Sequence, residues 1–276
     1  MAVAEKEGSS RVGSMLRDWR QRRRLSQLDL ALEADVSPRH VSFIETGRAA
    51  PSREMVLRLS EQLEVPLREQ NRMLLAAGFA PGYGEQRLDD PEMEPVRTAI
   101  DQVLAGHMPY PAIVVDGAWE MLAANEAAGL LIGLVSSSDL LEPPVNVLRA
   151  TLHPEGLSPH VTNLGEWRAH LLDRLRRQIV LSGNPALVTL LEELEAYPGA
   201  DRYSGVSTGE VVTSTPSEIA VPLRLRVGDA DLAFISTIAT FGTAVEVTTS
   251  ELSIESFFPA DAATAEALQG TRPTRV

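Results

Sequence analysis

The chain has 276 residues, contains no cysteine and carries a formal net charge of −13 at pH 7. The lack of cysteine excludes a disulfide framework and a thiolate metal site. The sequence has no run of 18 apolar residues, and its start, MAVAEKEGSS, lacks the apolar core of a signal peptide. We therefore expect a cytoplasmic protein with no membrane partner.

The charge is distributed unevenly along the chain. Residues 1–80 hold 13 Lys and Arg against 11 Asp and Glu, whereas residues 81–276 hold 12 against 27. Phosphates repel an acidic surface within a Debye length, about 8–10 Å at physiological salt. Only residues 1–80 are therefore suited to contact with a polyanion. The acidic region, residues 81–276, is expected to have a function other than DNA binding.

Apolar residues recur at helical spacing through residues 12–78. Ser26, Ser37 and Ser52 stand where helices would begin, and serine is a favoured N-cap. Gly78 stands where the last helix would end. The pattern predicts a compact bundle of five short helices, at about 12–24, 27–34, 38–46, 52–63 and 67–77.

Residues 25–51, LSQLDLALEADVSPRHVSFIETGRAAP, have the spacing of two helices joined by a short turn. Pro38 suits the first position of the second helix because its fixed φ is favourable there and no amide hydrogen is missed. Val41 and Ile44 would face inward, which leaves a polar outer face. A helix presented in this way fits the major groove of B-DNA.

The outer face predicts specific DNA contacts. Arg39 is suited to guanine O6 and N7, a contact worth roughly 1–3 kcal/mol of discrimination, and Phe43 to a thymine methyl group. Gln27 and Arg48 would contact the phosphate backbone. The predicted DNA-binding set is Gln27, Ser37, Arg39, His40, Ser42, Phe43 and Arg48. The alternative is an ordinary helical hairpin with a solvated face.

Residues 12–78 resemble the XRE (lambda-repressor-like) helix-turn-helix family. The resemblance is carried by the residues LSQ, LA, A, VS, VS, IE, G and PS, in this order. The resemblance implies that residues 38–46 form the recognition helix. It also implies that Gln27, Arg39, Ser42, Phe43 and Arg48 occupy contact positions. The turn residue is often glycine in such proteins, and here it is Asp35, which tolerates a left-handed backbone better than most residues.

Prolines, glycines and acidic residues in FAPGYGEQRLDDPEMEP, residues 79–95, predict a linker. We expect a DNA-binding domain at 1–80, a linker at 81–94 and a second domain at 95–270. A helix is predicted at about 95–106, followed by two strands, at 112–115 and 119–123, joined by Asp116-Gly117. Asn125 would cap the next helix.

Residues 142–198 are predicted to be mostly helical, with amphipathic helices at 166–182 and 185–196. Residues 219–227, 232–241 and 252–257 are rich in strand-forming residues. Two strands, several helices and three strands predict a PAS-like sensor domain, an antiparallel sheet with helices covering one face and a pocket between them. The fold class is therefore α+β.

The segments PYPAIVVDGAW, PPVNVLRATLHPEGL, PLRLRVGDADLAFISTIATFGT and ELSIESFFPAD resemble the ligand-binding domain of MmyB-like transcriptional regulators, over about residues 95–270. The resemblance implies a PAS-like fold that accepts a small apolar ligand, such as a fatty acid or a similar acyl compound.

Aromatic residues of this region are candidates for a pocket wall, although aromatic residues in a sheet also form plain core. An acyl carboxylate would need a cation or amide donors, because burying it unpaired is costly. The predicted ligand-binding set is Trp119, Asn146, Arg149, His153, Asn163, Trp167, Arg174 and Phe234. A solvated or structural role is the alternative for each polar member.

Gly205-Val206-Ser207-Thr208-Gly209 matches the G-x-S-x-G of hydrolases, which needs an acid and a histidine later in the chain. The last histidine is His170, so that triad cannot be completed. His153, His160 and His170 are too widely spaced for a metal pair on one helix. We expect no enzyme, no metal site and no cofactor other than a bound effector.

Together these observations predict a sequence-specific, DNA-binding transcription regulator that responds to a small apolar effector. Helix-turn-helix proteins commonly bind paired half-sites about 34 Å apart, so a homodimer is expected. Two alternatives remain. One is a constitutive DNA-binding protein whose acidic domain serves dimerisation or polymerase recruitment, and the other is an enzyme that the helix-turn-helix only localises.

Overall fold

The computed structural model describes residues 2–198 and 220–270. The chain divides into two compact units. The first comprises Met1–Gln86, Val180–Ser182 and Thr243–Ser250, and the second comprises Arg87–Ile179, Gly183–Gly242 and Glu251–Val276. The G-x-S-x-G sequence motif, residues 205–209, lies outside the described residues.

The first unit contains the five predicted helices: α1 (Ala2–Arg22), α2 (Gln27–Glu33), α3 (Pro38–Glu45), α4 (Arg53–Gln62) and α5 (Leu67–Ala76). Their apolar faces bury one cluster that includes Leu16, Leu30, Ile44 and Leu59. The helical repeat of apolar residues is what brings those side chains to one side of each helix. The predicted helical bundle is therefore confirmed.

The predicted serine caps are present in the first unit. The hydroxyl oxygens of Ser26, Ser37 and Ser52 each accept a hydrogen bond from the backbone N–H of the third residue of the helix that follows, at 3.1–3.2 Å. Asp29 completes a capping box by accepting the N–H of Ser26 at 2.8 Å. Each cap satisfies an amide that the helix itself cannot pair.

The turn between α2 and α3 uses Asp35 in the left-handed region, with φ of +51°. The conformation lets Val36 donate its N–H back to the carbonyl oxygen of Ala31 at 2.9 Å. Aspartate therefore replaces the more usual glycine without opening the turn, as its tolerance of left-handed φ predicts.

Residues 82 and 83, in the segment predicted as a linker, are attached to α5. The side chain of Asn71 accepts the N–H groups of Gly82 and Tyr83 and donates to the carbonyl oxygen of Tyr83. The Tyr83 hydroxyl also donates to Gln70. This start of the predicted linker therefore has fixed partners in the first unit.

The second unit is built on a five-stranded sheet. Its strands are β1 (Ala112–Val115), β2 (Met121–Ala124), β3 (Leu223–Val227), β4 (Ala230–Thr240) and β5 (Ser253–Pro259). They lie in the order β2-β1-β5-β4-β3, and every neighbouring pair is antiparallel. This agrees with the predicted antiparallel sheet made from two early and three late strands.

Seven helices accompany the sheet strands along the chain: α6 (Glu94–Gly106), α7 (Gly129–Ile132), α8 (Val147–Leu152), α9 (Leu164–Ser182), α10 (Pro185–Ala196), α11 (Val247–Glu251) and α12 (Ala262–Gly270). Four short 3₁₀ turns lie at Pro91–Met93, Glu126–Ala128, Ser138–Leu141 and Ser158–His160. These counts refer to residues 2–198 and 220–270.

Apolar side chains cover both faces of the sheet, which corrects the prediction of helices on one face. Side chains alternate between faces along a strand. Ile113 and Val115 belong to the larger cluster with residues of α8, α9 and α10, whereas Ala112 and Val114 pack in a second cluster. That second cluster includes Ile100 of α6.

The early hairpin also differs from its prediction. Trp119, expected to begin the second strand, lies in the turn with φ of +67°. The carboxylate of Asp116 holds this turn by accepting the N–H groups of Ala118 and Glu120 at 2.8 and 2.9 Å. The longer turn directs the Trp119 side chain into the core, where it is 3 % exposed.

Candidate nucleic-acid interface and ligand cavity

Helix α3 has a buried face and an outward face. Val41 and Ile44 are buried in the core of the first unit, whereas Arg39 at the start of the helix is exposed. Three further α3 positions of the predicted DNA-binding set are half-buried: His40, Ser42 and Phe43. The division between buried and outward residues is the one that the sequence predicts.

Two arginines lie against one aromatic ring on this outward face. The guanidinium carbon of Arg39 is 5.1 Å from the ring centroid of Phe43, and that of Arg48 is 6.0 Å from it. Both arginines are exposed. Cation–π contact of this kind orders a long side chain while leaving its N–H donors at the surface.

Gln27 and Ser37 have partners within the protein. The side-chain amide of Gln27 donates to Glu45 at 2.8 Å, and the Ser37 hydroxyl oxygen accepts the N–H of His40 at 3.2 Å. Ser37 therefore caps α3, and Gln27 is held beside it. Their contact with DNA remains a prediction.

A buried ion pair that sequence analysis missed positions α3. Arg20 of α1 donates from Nε and one terminal nitrogen to the two carboxylate oxygens of Glu45, at 2.6 and 2.9 Å. Its other terminal nitrogen donates to the carbonyl oxygen of Leu25 at 2.7 Å. The hydrogen bond to Glu45 raises the pKa of Arg20. The pair joins residues 25 positions apart, so no local pattern indicates it.

The second unit contains an apolar cavity between the sheet and its helices. The cavity together with its open mouth encloses about 740 Å³. Residues of β1, β2, α7, α8 and α9 form most of its wall, among them Ile113, Met121, Leu131, Leu148 and Leu171. Its polar side chains are few among the described residues: Trp119, Thr151, Trp167 and Glu255. Ligand sites in proteins have this character, with a largely apolar wall and a small number of placed polar groups.

The structure places two members of the predicted ligand-binding set, Trp119 and Trp167, in the cavity wall. The other six, Asn146, Arg149, His153, Asn163, Arg174 and Phe234, are not among the residues that line it. Thr151 and Glu255 line the cavity but were not predicted. Glu255 stands in an apolar strand, and only the strand register shows which face it occupies.

Arg149, a member of the predicted ligand-binding set, forms an ion pair within the protein. Its guanidinium holds both carboxylate oxygens of Glu193 at 2.8–3.0 Å and thereby lowers the pKa of that carboxyl. Tyr197 donates to the same carboxylate at 2.6 Å, and burial raises the pKa of Tyr197 to about 12. This cluster fastens α8 to α10 and occupies the guanidinium of Arg149. Contact of Arg149 with a ligand remains a prediction.

The remaining members have structural roles. The Asn146 side chain caps α8 and donates to the carbonyl oxygen of Ala118 at 2.9 Å. His153 accepts the N–H of Glu155 at 3.1 Å. Asn163 joins α9 to the sheet by donating to the carbonyl oxygen of Pro222 at 2.8 Å. Phe234 is fully buried and packs edge-on against Phe257.

Arg174 lies behind the cavity wall, in a chain of polar contacts. Its guanidinium donates to Glu255 at 3.2 Å and lies 4.3 Å from the ring centroid of Trp119. The Trp119 Nε1–H donates to Gln178 at 2.6 Å, and Gln178 donates to the carbonyl oxygen of Gly117 at 2.9 Å. Burial lowers the pKa of Arg174, although Glu255 partly offsets the effect. Arg174 therefore neutralises the Glu255 carboxylate in the wall.

Trp167 differs from Trp119 in its hydrogen bonding. Its side chain is 2 % exposed, and within residues 2–198 and 220–270 its Nε1–H has no hydrogen-bond partner. The ring stacks on His170, with centroids 5.4 Å apart. Burial, followed by the charges of Arg174 and Arg177, lowers the pKa of His170.

Comparison with known families decides the identity of the chain. The family model for the MmyB-like transcription regulator ligand binding domain matches residues 96–270, and a helix-turn-helix model matches residues 16–70. The chain belongs to the MmyB-like transcription regulators. The cavity of this MmyB-like regulator thus lies in its ligand-binding domain, and α2 and α3 lie in its helix-turn-helix.

Curated relatives share a smaller part of the MmyB-like regulator. The proteins named multiprotein-bridging factor 1 from Candida albicans and from Debaryomyces hansenii are each 33 % identical to it over 69 residues. The match covers 25 % of this chain and 46 % of each relative. The chain thus spans about half the length of these relatives.

Neither a membrane-spanning helix nor a metal-binding cluster occurs in the part of the MmyB-like regulator that the structure describes. Each of its described helices is too short or too polar to cross a membrane. No group of three or more His, Cys, Asp and Glu in residues 2–198 and 220–270 is arranged to hold a metal ion.

Proposed function

We propose that this chain is a sequence-specific DNA-binding regulator that places α3 in the major groove. The observation that carries the proposal is the outward face of α3, where exposed Arg39 and Arg48 lie against Phe43. The buried Arg20–Glu45 pair supports it, because a recognition helix must be held rigidly to place base contacts. The predicted contact set Gln27, Ser37, Arg39, His40, Ser42, Phe43 and Arg48 is part of this proposal.

We propose further that the second unit binds a small apolar effector of the acyl class, which includes fatty acids. The apolar wall of the cavity supports this class, because a hydrocarbon chain can replace water there without leaving polar groups unpaired. A fully packed core would instead favour a constitutive regulator. The strand order β2-β1-β5-β4-β3 supports a PAS-like fold.

We also propose that the regulator acts as a homodimer. Helix-turn-helix proteins commonly bind two half-sites about 34 Å apart, and each half-site takes one recognition helix. Sedimentation equilibrium of the full chain, with and without a DNA duplex, measures the molecular mass. The protein is expected to have the mass of two chains in both conditions.

Substitution of Arg39 tests base contact. A preferred duplex is first selected from random DNA with the full chain. Arg39→Ala is expected to weaken binding to this duplex by roughly 5- to 150-fold, the equivalent of one bidentate contact to guanine, and to affect unrelated DNA much less. Fluorescence anisotropy at one fixed salt concentration measures both affinities.

Arg72 provides the matched control, since it is exposed on α5 and paired with Glu69. Arg72→Ala is expected to leave the preference for the selected duplex unchanged. Equal losses on specific and unrelated DNA for Arg39→Ala would contradict the proposed base contact.

A further inference from the structure

Strand β4 extends beyond the strand that pairs with its outer side. Its pairing with β3 ends at Phe234, which lies opposite Leu223, whereas its pairing with β5 continues to Thr240. Among the described residues, β4 therefore has a neighbouring strand on one side only from Ile235 to Thr240. Five of these six residues are exposed, and Ser236 is half-buried. Residues 235–240 thus form an open edge of the sheet.

The backbone groups of the open edge alternate in direction. The N–H of Phe257 on β5 donates to the carbonyl oxygen of Pro111 at 2.9 Å, on the side of β1, and Phe257 lies opposite Ser236. In an antiparallel pair, residues that exchange hydrogen bonds alternate with residues that do not. Ser236, Ile238 and Thr240 therefore point their N–H and C=O groups away from β5, where a further strand can bind them.

The open edge lacks the features that keep natural sheet edges from pairing. Such edges commonly carry a charged side chain, a proline or a β-bulge. The sequence of residues 235–240, ISTIAT, contains neither a charge nor a proline, and its register with β5 runs without interruption. Four of its six residues are isoleucine or threonine, which favour strands. The open edge is therefore suited to accept another strand.

Charge favours a second copy of this chain as the source of that strand. Residues 81–276 hold 27 Asp and Glu against 12 Lys and Arg, so two copies repel each other electrostatically. An interface between copies needs a patch without charge, and residues 235–240 are such a patch. A basic partner would instead gain from acidic side chains, and the open edge has none. Antiparallel pairing of one segment with itself also has the two-fold symmetry of most homodimers.

We infer that two copies of this chain form a homodimer in which their open edges pair as antiparallel strands, with Ile238 opposite Ile238 of the second copy. This inference rests on the proposed function, which includes a homodimer, and it names the surface that joins the two chains. The register follows from the outward backbone groups, because Ile238 is the middle one of the three residues that carry them. The two five-stranded sheets then join into one continuous sheet.

Ile238→Pro tests the pairing, because it removes the central outward N–H group and leaves the hydrogen bonds between β4 and β5 in place. The loss of two backbone hydrogen bonds per dimer is expected to raise the dissociation constant of the dimer by roughly 30-fold or more. Sedimentation equilibrium of the full chain without DNA, over a range of protein concentrations, measures this constant. Ile238→Val keeps the N–H group and is the matched control, expected to have the dissociation constant of the wild type.

Crosslinking tests the register without depending on a weakened variant. The chain has no cysteine, so a short bismaleimide can join the thiol of Ile238→Cys only to that of a second copy. A covalent dimer is expected in high yield, because the two thiols lie opposite each other across the two-fold axis. Val103 of α6 is similarly exposed, 44 % against 45 % for Ile238, and supplies the control. Val103→Cys is expected to run as a single chain on a denaturing gel.

The outcomes separate the inference from the proposed homodimer. If the wild type is a dimer and Ile238→Pro leaves its dissociation constant unchanged, the homodimer stands and the pairing through β4 is wrong. The same conclusion follows if Ile238→Cys crosslinks no more than Val103→Cys. Assembly of two chains only on the DNA duplex also contradicts the pairing, because the pairing does not require DNA. If the wild type is a monomer in both conditions, the open edge does not bind a second copy, and the proposed homodimer fails with the inference.

Discussion

At the scale of single residues, Glu45 joins three segments of the helical unit through one buried carboxylate. It accepts from Arg20 on α1 and from Gln27 on α2, and it is itself on α3. Removing one partner of a buried ion pair leaves the other charge uncompensated, which is more damaging than losing an exposed pair. The orientation of the proposed recognition helix therefore depends on a residue that need not touch DNA.

Glu45→Ala is expected to lower the free energy of unfolding of the helical unit by roughly 3 kcal/mol. Hydrogen exchange of the α3 core amides measures this loss within the full chain. The exposed pair Arg87–Asp89 supplies the control, and Arg87→Ala is expected to leave those exchange rates unchanged. Unchanged α3 exchange in Glu45→Ala would show that the ion pair does not hold the helix.

His170 predicts a pH dependence of stability. Its pKa is lowered in the folded protein, chiefly by burial, from an ordinary value of 6.5. The neutral imidazole is therefore favoured by folding. The contribution to stability is fully present above about pH 6.5 and is lost as the pH falls through the lower folded pKa.

His170→Gln removes this titration. Between pH 7.5 and pH 5, the wild type is expected to lose more thermal stability than the variant, as measured by differential scanning calorimetry of both chains. If the two lose stability in parallel, burial of His170 contributes nothing to the pH dependence.

Residue type alone does not show which side chains line the cavity, for a physical reason. The cation of Arg149 indicates an anion partner, and that partner is Glu193, 44 positions away, which binds the guanidinium within the protein. Trp119 and Trp167 do lie in the cavity wall, because large aromatic side chains bury wherever the core has room, and their contact with a ligand remains a prediction. Which of the two indole N–H groups is already paired depends on Gln178, and only the fold shows it.

At the scale of elements, α1 and α3 approach closely at Gly13. A Cβ atom at this position would lie 2.2 Å from the carbonyl oxygen of Ile44 and 3.1 Å from the carbonyl group of Glu45. Both contacts are with backbone, which cannot rotate away. The two helices therefore need a residue without a side chain at this crossing.

Gly13→Ala is expected to destabilise the helical unit by about 2 kcal/mol, within the usual range for overpacking, and to weaken binding to the selected duplex because the end of α3 must shift. Thermal unfolding and anisotropy measure the two effects. Gly106, the last residue of α6, is the control, because a Cβ there would meet no described atom within 4 Å other than its chain neighbours and the backbone of its own helix. Gly106→Ala is therefore expected to change neither quantity. If Gly13→Ala has the stability and DNA affinity of the wild type, the crossing of α1 and α3 tolerates a wider spacing.

The helices and strands follow more directly from the sequence than the lining of the cavity does. Helix caps at Ser26, Ser37 and Ser52 act within three residues, so the sequence shows them directly. The five strands were found from composition, but the turn at Trp119 was not, because a positive φ at a bulky residue is disfavoured locally and depends on Asp116 and the surrounding core. Likewise, the packing of apolar side chains on the second face of the sheet is recognised only when the strand register is known.

At the scale of the whole molecule, a proposed DNA-binding helix and a proposed effector cavity belong to one chain. Such a regulator responds only if the effector binds the DNA-competent state more or less tightly than the other state. The coupling is reciprocal, so DNA must change the affinity for the effector by the same factor that the effector changes the affinity for DNA.

Regulation of DNA binding through the cavity is tested by measuring the affinity of the full chain for its selected duplex with and without saturating decanoate, a fatty acid. We expect a change of about fivefold or more, and the same factor in the decanoate affinity when the duplex is present. Identical DNA affinities in both conditions, while decanoate occupies its site, would show that the cavity does not regulate DNA binding.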